Sequence, residues 1–378
     1  MFNFLKCLDR VKLKVCFSAH RFFTINSFLR NKNCKNQHPW KIVFYGTDDL
    51  SKVTLDALYT NSISSIDSKI VDEVDVVCIK WDCPVRRYAT CNNLTVYTWP
   101  YNLPNDAYDV GIVVSFGHML PTDSIHACKY GIINAHPSLL PRWRGAAPII
   151  HTILNGDAET GVTITQVSPN KFDVGKILMQ EKYIIPEGCS ATALTRELSK
   201  VASDLIMKTL RNLPYYVEFS YPQPKEGAKY ARKIKPEQGN INWEQDSSLF
   251  IYRKYKAFHG FFDIYTFWKN VRIVVLEFAT PDVVEKANVS TLVEPSVQPG
   301  FCYFHKKRKI LFVKCQDNWC GILSVKIPKR GKISAQDFYN GFISKEEPNK
   351  CYFHANNKNV ESYKSILLYQ KIISKFYW

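Results

Sequence analysis

Residues 131–156 read GIINAHPSLLPRWRGAAPIIHTILNG, and this stretch decides the fold. Its first six residues, Gly131 to His136, form a short apolar run that reads as a buried strand carrying two polar side chains at its end. Pro137, Pro141, Gly145 and Pro148 then break any regular element, so the middle is a stiffened loop. Residues 146–156 return to a helical pattern that closes at Asn155-Gly156, where glycine supplies the helix stop. Strand, rigid loop and helix in that order make one unit of an α/β layer.

The same alternation continues on both sides. Upstream lie KIVFYG (41–46), followed by Asp48 and Asp49 as caps for a helix through Leu58, then VDVVCIK (74–80) and DVGIVVSFG (109–117), with Pro84 and Pro121 marking their exits. Downstream lie GVTITQVS (161–168) and KILMQEKYII (176–185), then a helix capped by Ser190 with Leu194, Leu198, Val201, Leu205 and Leu210 on one face. This predicts a mostly parallel, doubly wound sheet over residues 40–214. Past Pro214 the texture changes. YPQPKEGAKYARKIKPEQG (221–239) is rich in Pro, Gly and Lys, and residues 215–240 read as a linker. VRIVVLEFA (271–279), RKILFVK (308–314) and CGILSVKI (320–327) are short strands with no helix between them, which predicts a small antiparallel barrel over 241–345 and a basic tail over 346–378.

The chain of 378 residues carries 50 Lys and Arg against 34 Asp and Glu, a net charge of +16, and its length favours two domains. It has no run of about 18 apolar residues, so no membrane span is expected. The charge is uneven: residues 1–40 hold +7, residues 41–220 hold −3 and residues 221–378 hold +12. A polyanionic partner for the second half follows. The arm over residues 1–39 is basic, nearly free of acids and interleaved with Phe and Leu, as in a mitochondrial transit peptide; a basic disordered tail or a nucleic-acid-binding arm are the other readings. The 12 cysteines include no CxxC and no Cys/His cluster, so a reducing compartment, buried thiols such as Cys78 and Cys320, and no metal are expected.

Asn134 and His136 lie two apart at a strand's end and so leave the same face. Ligands of open α/β sheets sit outside the carboxyl ends of the strands. Asp173, in FDVG (172–175), follows the next strand and turns back to that edge. An amide, an imidazole and a carboxylate there could carry acyl transfer to an amine. Asn134 would donate to the developing oxyanion, and His136, protonated through pairing with Asp173, would donate beside it and shuttle a proton. No Ser or Cys nucleophile is needed. Equally, Asn134 and Asp173 could bond their own loops and His136 could be a satisfied core histidine. Spacing alone leaves both open.

NAHPSLLPRWRGAAP (134–148) followed by FDVGKIL (172–178) resembles the signature of the folate-dependent formyltransferases. The SLLPRWRGAAP version is most similar to the methionyl-tRNA formyltransferase branch, in its mitochondrial type. The similarity extends through KIVFYGT (41–47), VVSFGHMLP (113–121), NGDAETGVTITQ (155–166), QPKEGAKYARKI (223–234) and SAQDFYNGF (334–342). The resemblance implies a Rossmann-like formyltransferase domain followed by a small OB-like barrel. It also implies 10-formyltetrahydrofolate as donor, methionyl initiator tRNA as acceptor in mitochondrial translation initiation, and a monomer in the mitochondrial matrix with neither metal nor membrane partner. The family's catalytic Asn, His and Asp map onto Asn134, His136 and Asp173. Ser138, Leu139, Leu140 and Pro141 match its folate-site loop, and Phe116, Gly117, His118, Met119 and Leu120 match the segment whose backbone accommodates the pterin. Arg142 and Arg144 read either as structural loop arginines or as ligand contacts.

A tRNA acceptor accounts for the position of the positive charge. Lys306, Lys307, Arg308 and Lys309, then Lys326, Lys329, Arg330 and Lys332, are expected phosphate contacts on the barrel, and Lys229, Arg232, Lys233 and Lys235 on the linker; solvated faces are the plainer reading of each run alone. AFHGFFDIYTFW (257–268) reads as barrel core rather than as a stacking platform. Bacterial members carry a basic insertion loop where this chain has only KWDCPVRRYA (80–89), leaving Arg86 and Arg87 as its basic remnants at the tRNA. The spacer from His136 to Asp173 is one residue longer than in those members. Two rivals stand beside this reading: the same chemistry on glycinamide ribonucleotide or an amino sugar, and an RNA-binding protein with a degenerate formyltransferase fold. The basic second half disfavours the first, and the intact trio disfavours the second.

Overall fold

The computed structural model describes residues 38–65, 69–347 and 350–355. Most of the expected targeting arm and most of the expected basic tail lie outside the described residues. The first half contains β1 (Trp40–Tyr45), α1 (Asp49–Ser62), β2 (Val71–Cys78), α2 (Pro84–Cys91), β3 (Val96–Thr98), β4 (Val110–Val113), α3 (Thr122–His126), β5 (Ile132–His136), α4 (Pro148–Asn155), β6 (Glu159–Gln166), β7 (Ile177–Ile184), α5 (Ala191–Arg211) and α6 (Leu213–Glu218). The strands form one sheet in the order β3-β2-β1-β4-β5-β6-β7. Pairing is parallel from β3 to β5 and antiparallel from β5 to β7.

Local chemistry explains these elements. The inner strands are apolar on both faces because helices cover both, and Val43, Phe44, Val76, Val77, Val110 and Ile112 are fully buried. Asp48 accepts from the Ser51 N–H and caps α1. Along α5 the buried side chains Leu194, Leu198, Ala202, Leu205, Ile206 and Leu210 form one apolar stripe, and the helix packs against α1. Trp40, at the start of β1, donates its indole N–H to the Leu210 carbonyl at 2.8 Å and ties sheet to helix. The strand order reverses between β1 and β4, so a crevice opens beyond their carboxyl ends. Thr47 spans it by donating to the Ser115 carbonyl at 2.8 Å.

The second half contains α7 (Ser248–Phe258), β8 (Ile264–Trp268), β9 (Val271–Phe278), α8 (Pro281–Glu285), β10 (Cys302–His305), β11 (Ile310–Lys314), β12 (Trp319–Ile327), β13 (Gly331–Ser334), α9 (Ala335–Phe338) and β14 (Phe353–His354). The strands form an antiparallel sheet in the order β10-β11-β12-β9-β8-β14, with β13 on β12. Two features correct the sequence reading. Among the described residues no closed barrel forms: β10 and β14 are joined by an isolated bridge at Phe301 and Tyr352 rather than by a strand pair, because β14 is only two residues long. A helix also lies between those strands, α8 between β9 and β10, and a longer one, α7, precedes them. Phe, Tyr and Ile in SLFIYRKYKAF favour strand, but the Ser247 cap and the buried Ile251, Lys254, Ala257 and Phe258 at helical spacing win. α7 packs on α4, and one apolar core runs from Ile42 and Ile153 through Ile251 to Val325. No helix among the described residues is long and apolar enough to cross a membrane.

Candidate active site

β5 ends at the sheet edge with Asn134 half-buried and His136 buried. Asp173 reaches them from the loop between β6 and β7, on a left-handed backbone of φ 53°. Its carboxylate gathers three groups. Asn134 Nδ2 donates to Oδ1 at 3.2 Å, the Gly145 N–H donates to Oδ2 at 2.9 Å, and His136 Nδ1 lies 3.4 Å from Oδ1. The other ring nitrogen, His136 Nε2, is 2.8 Å from the Trp143 carbonyl oxygen. A carbonyl only accepts, so Nε2 carries a hydrogen. Nδ1 then faces the carboxylate either as a lone pair or, with a second proton, as an imidazolium donor.

The loop from 137 to 147 is held from three sides. Thr163 of β6 donates to the Ser138 carbonyl at 2.6 Å and accepts from the Leu140 N–H at 3.1 Å, and Gln180 of β7 donates to the Leu140 carbonyl at 2.9 Å. Ser138, Leu140 and Pro141 are thus buried in the loop's own packing. Leu139 lines a cavity of about 260 Å³ with Arg142, Trp143, Asp157, Ala158, Glu159 and Thr160. The third side is the chain leading to the second sheet. The Arg144 N–H donates to the Lys229 carbonyl at 2.9 Å and the Ala231 N–H to the Arg144 carbonyl at 2.7 Å. Gly145 adopts φ 114°, and a Cβ there would lie 2.8 Å from the Ala231 carbonyl oxygen, so only glycine lets this segment approach.

Phe116 to Leu120 follow β4 at the strand-order reversal. Phe116 and Leu120 are buried, while Gly117, His118 and Met119 are exposed. Phe116 packs edge-on against Tyr45 and Trp99, each with ring centroids 5.3 Å away. The backbone N–H and C=O groups of 116–120 find no hydrogen-bond partner among the described residues. Such a row of open donors and acceptors beside aromatic rings suits a flat heterocycle with polar edges.

Two polar residues that sequence reasoning does not single out complete the surroundings. Gln223 donates to the carbonyls of Asp173 and Gly175, at 2.9 Å each, and accepts from Arg144 at 2.9 and 2.6 Å. Asp157 accepts from Arg142 at 2.9 and 2.5 Å and from the Trp143 indole N–H at 2.7 Å. Burial alone would raise the Asp157 carboxyl, but the hydrogen bonds from Arg142, Trp143 and Asn155 outweigh it and hold the group below its ordinary range. Both residues lie inside the stretches that carry the family resemblance, and that is their only signal.

Residues 101–210 match the formyl transferase family, and residues 233–343 match the C-terminal domain of formyl transferases. The mitochondrial methionyl-tRNA formyltransferase of Homo sapiens is 38% identical over 340 residues, covering 86% of this chain and 85% of that protein. The chain belongs to the methionyl-tRNA formyltransferase family. A bacterial member, from Parvibaculum lavamentivorans, is 30% identical over 319 residues, covering 81% of this chain and 98% of its own. Among solved structures, the N-formyltransferase from Helicobacter canadensis in complex with folinic acid and dTDP-3-aminofucose shares the fold, with a TM-score of 0.53 at 18% identity over 75% of this chain and 98% of that one. As a member of the methionyl-tRNA formyltransferase family, the chain is a formyltransferase enzyme.

The basic residues expected at tRNA fall into two groups. Arg86 is turned inward: Nε donates to the Ile79 carbonyl at 3.1 Å and Nη2 to Thr98 at 3.0 Å, and exposed Arg87 pairs with Asp82 at 2.5 Å. Arg232, Lys233, Lys235, Lys306, Lys307, Arg308, Lys309, Lys329 and Arg330 are all exposed, with Arg308 donating to the Lys286 carbonyl at 2.8 Å and Arg330 lying 5.2 Å from the Phe342 ring centroid. β10 pairs His305 with Ile310, β11 pairs Leu311 with Ile322, and β12 pairs Ile327 with Gly331. These registers put the turns 306–309 and 328–330 at the same end of the second sheet, a cationic rim.

Proposed function

We propose that the chain transfers the formyl group of 10-formyltetrahydrofolate to the α-amine of methionyl initiator tRNA, as a monomer in the mitochondrial matrix. The observation that carries the reading is the convergence of Asn134 and His136 on the Asp173 carboxylate at 3.2 and 3.4 Å, beside the open backbone of 116–120. On this reading the pterin edge pairs with the backbone of Phe116 to Leu120, and the loop Ser138 to Pro141 shapes the far wall of the folate cleft. The amine attacks the formyl carbon, a new C–N bond forms, and the former carbonyl oxygen becomes an oxyanion.

Asn134 donates to that oxygen from Nδ2, and His136 donates from Nδ1, because Nε2 is committed to the Trp143 carbonyl. Asp173 stabilises the imidazolium and takes the proton released by the attacking amine, through water. Collapse of the intermediate breaks the bond to N10, which recovers a proton by the same relay. Residues 40–214 form the catalytic unit, 215–240 the linker and 241–345 an OB-like tRNA-binding unit whose rim at 306–309 and 328–330 meets phosphates. The arm over 1–39 directs import. Formylation of charged initiator tRNA with a folate donor, compared with free methionine and with an aminosugar nucleotide, tests the reading; formylation of the sugar alone overturns it.

A further inference from the structure

We infer that Asp157 is a positioning residue for the reaction: through Trp143 it keeps a hydrogen on Nε2 of His136, so that Nδ1 faces Asp173 without one in the neutral ring. The inference rests on the roles proposed above for Asn134, His136 and Asp173. The path is short and continuous. Asp157 Oδ2 accepts the indole N–H of Trp143 at 2.7 Å, and the carbonyl of the same Trp143 accepts from His136 Nε2 at 2.8 Å. Asp157 also takes the Arg142 guanidinium at 2.9 and 2.5 Å and Asn155 Nδ2 at 2.5 Å, so the residues on both sides of the loop's turn end on one carboxylate.

Trp143 needs this anchoring. It sits at φ 62°, a left-handed conformation that a bulky residue avoids unless its surroundings impose it. The indole supplies the constraint. It is buried, it stacks on His151 at 5.3 Å between centroids, and the Arg142 guanidinium lies 4.7 Å from its ring centroid. Release of the indole frees the backbone to relax to negative φ, which swings the carbonyl away from His136 Nε2. The ring then loses its reason to keep the hydrogen on Nε2, and the neutral tautomer with hydrogen on Nδ1 becomes accessible. That tautomer donates from Nδ1 to Asp173 with no second proton. The ring is then locked to the carboxylate and is no imidazolium donor for an oxyanion.

The test compares full-length wild type with Trp143→Phe, Asp157→Ala, Asp157→Asn and Asp157→Leu, each labelled with 15N histidine, the His136 signals being identified by their loss in His136→Gln. Wild type is expected to keep a hydrogen on Nε2 in both the neutral ring and the imidazolium. In Trp143→Phe and Asp157→Ala the nitrogen shifts move toward the other tautomer. Turnover falls by roughly tenfold to a hundredfold, the scale of a small misplacement at the reacting centre, with KM for either substrate changed less than about threefold. Asp157→Asn keeps an acceptor for the indole and recovers most of the loss, whereas Asp157→Leu, which fills the same space without an acceptor, does not. Wild-type nitrogen shifts and turnover in Trp143→Phe overturn the inference, and this variant serves even if Asp157→Ala does not fold. Wild-type turnover in His136→Gln instead removes the catalytic reading, and the shifts alone then judge the tether.

Discussion

Asp173→Asn changes one atom and removes a charge at the point where three groups meet. The carboxylate accepts from Asn134 at 3.2 Å and from Gly145 at 2.9 Å, with His136 Nδ1 at 3.4 Å. An amide has one accepting and one donating end, so it cannot serve them all. With the new NH₂ at the Oδ2 position, it opposes the Gly145 N–H. With the NH₂ at the Oδ1 position, it opposes Asn134 but satisfies a neutral His136, which removes the imidazolium donor. The lost charge-assisted hydrogen bond costs about 1.5–3 kcal/mol of stability, and at roughly 2–4 °C per kcal/mol for a chain of this class Tm falls by about 3–12 °C. Loss of one oxyanion donor lowers turnover by about 10²–10³. Formylation of charged initiator tRNA at saturating folate, measured beside a thermal melt, reads both. A lowered Tm with turnover within threefold of wild type would refute the argument, since the carboxylate would then be a structural acceptor only.

Asn134→Ala should lower turnover by about 10²–10³ while leaving Tm within a few degrees, because the residue is half-buried and its truncation removes one donor; steady-state kinetics at fixed folate check this. Asp157 is held below its ordinary range, so its contribution to stability exists above the unfolded carboxyl value of about 4 and is lost as pH falls through the folded value. Asp157→Asn should therefore be less stable than wild type by about 1–3 kcal/mol at pH 7, with the gap closing in denaturation curves taken below about pH 4; a gap independent of pH contradicts it. Affinity for initiator tRNA should fall steeply as salt rises, and Lys306→Glu with Lys307→Glu should weaken binding without changing KM for folate, lowering the salt slope by about 1 for each phosphate that is no longer neutralised. Filter binding across a salt series decides it.

The first half is legible because its signals are local. The run from 131 to 136 is apolar, the following prolines stop it, and Asn134 and His136 fall on one face by simple alternation. The reversal of direction after β5 is not legible: GVTITQ and KILMQEKY read as strands whichever way they run, and only the connection between them decides the pairing. α7 escapes a reading by propensity because its aromatic and β-branched residues favour strand in isolation, while burial against α4 selects helix. The hydrogen-bond partners of the trio lie beyond any periodic signal. Trp143 contributes a backbone carbonyl, which no side-chain pattern reports, and Gln223 lies 50 residues from the Asp173 carbonyl that it holds.

That last hydrogen bond bears on how the two halves work together. The segment from Gln223 to Ala231 reads from composition as part of a linker, yet it contacts the loop and the Asp173 backbone of the candidate site. Gln223 fixes the backbone of Asp173 and the side chain of Arg144, while Lys229 and Ala231 pair with the Arg144 backbone on the other side. Arg144 is therefore clamped from both directions, and its neighbour Gly145 is the residue whose N–H orients the Asp173 carboxylate. The exposed cations Arg232 and Lys233 follow directly on the same segment. The segment that carries these cations is thus hydrogen-bonded to the loop that orients Asp173, so the second sheet is joined to that loop by more than the covalent chain.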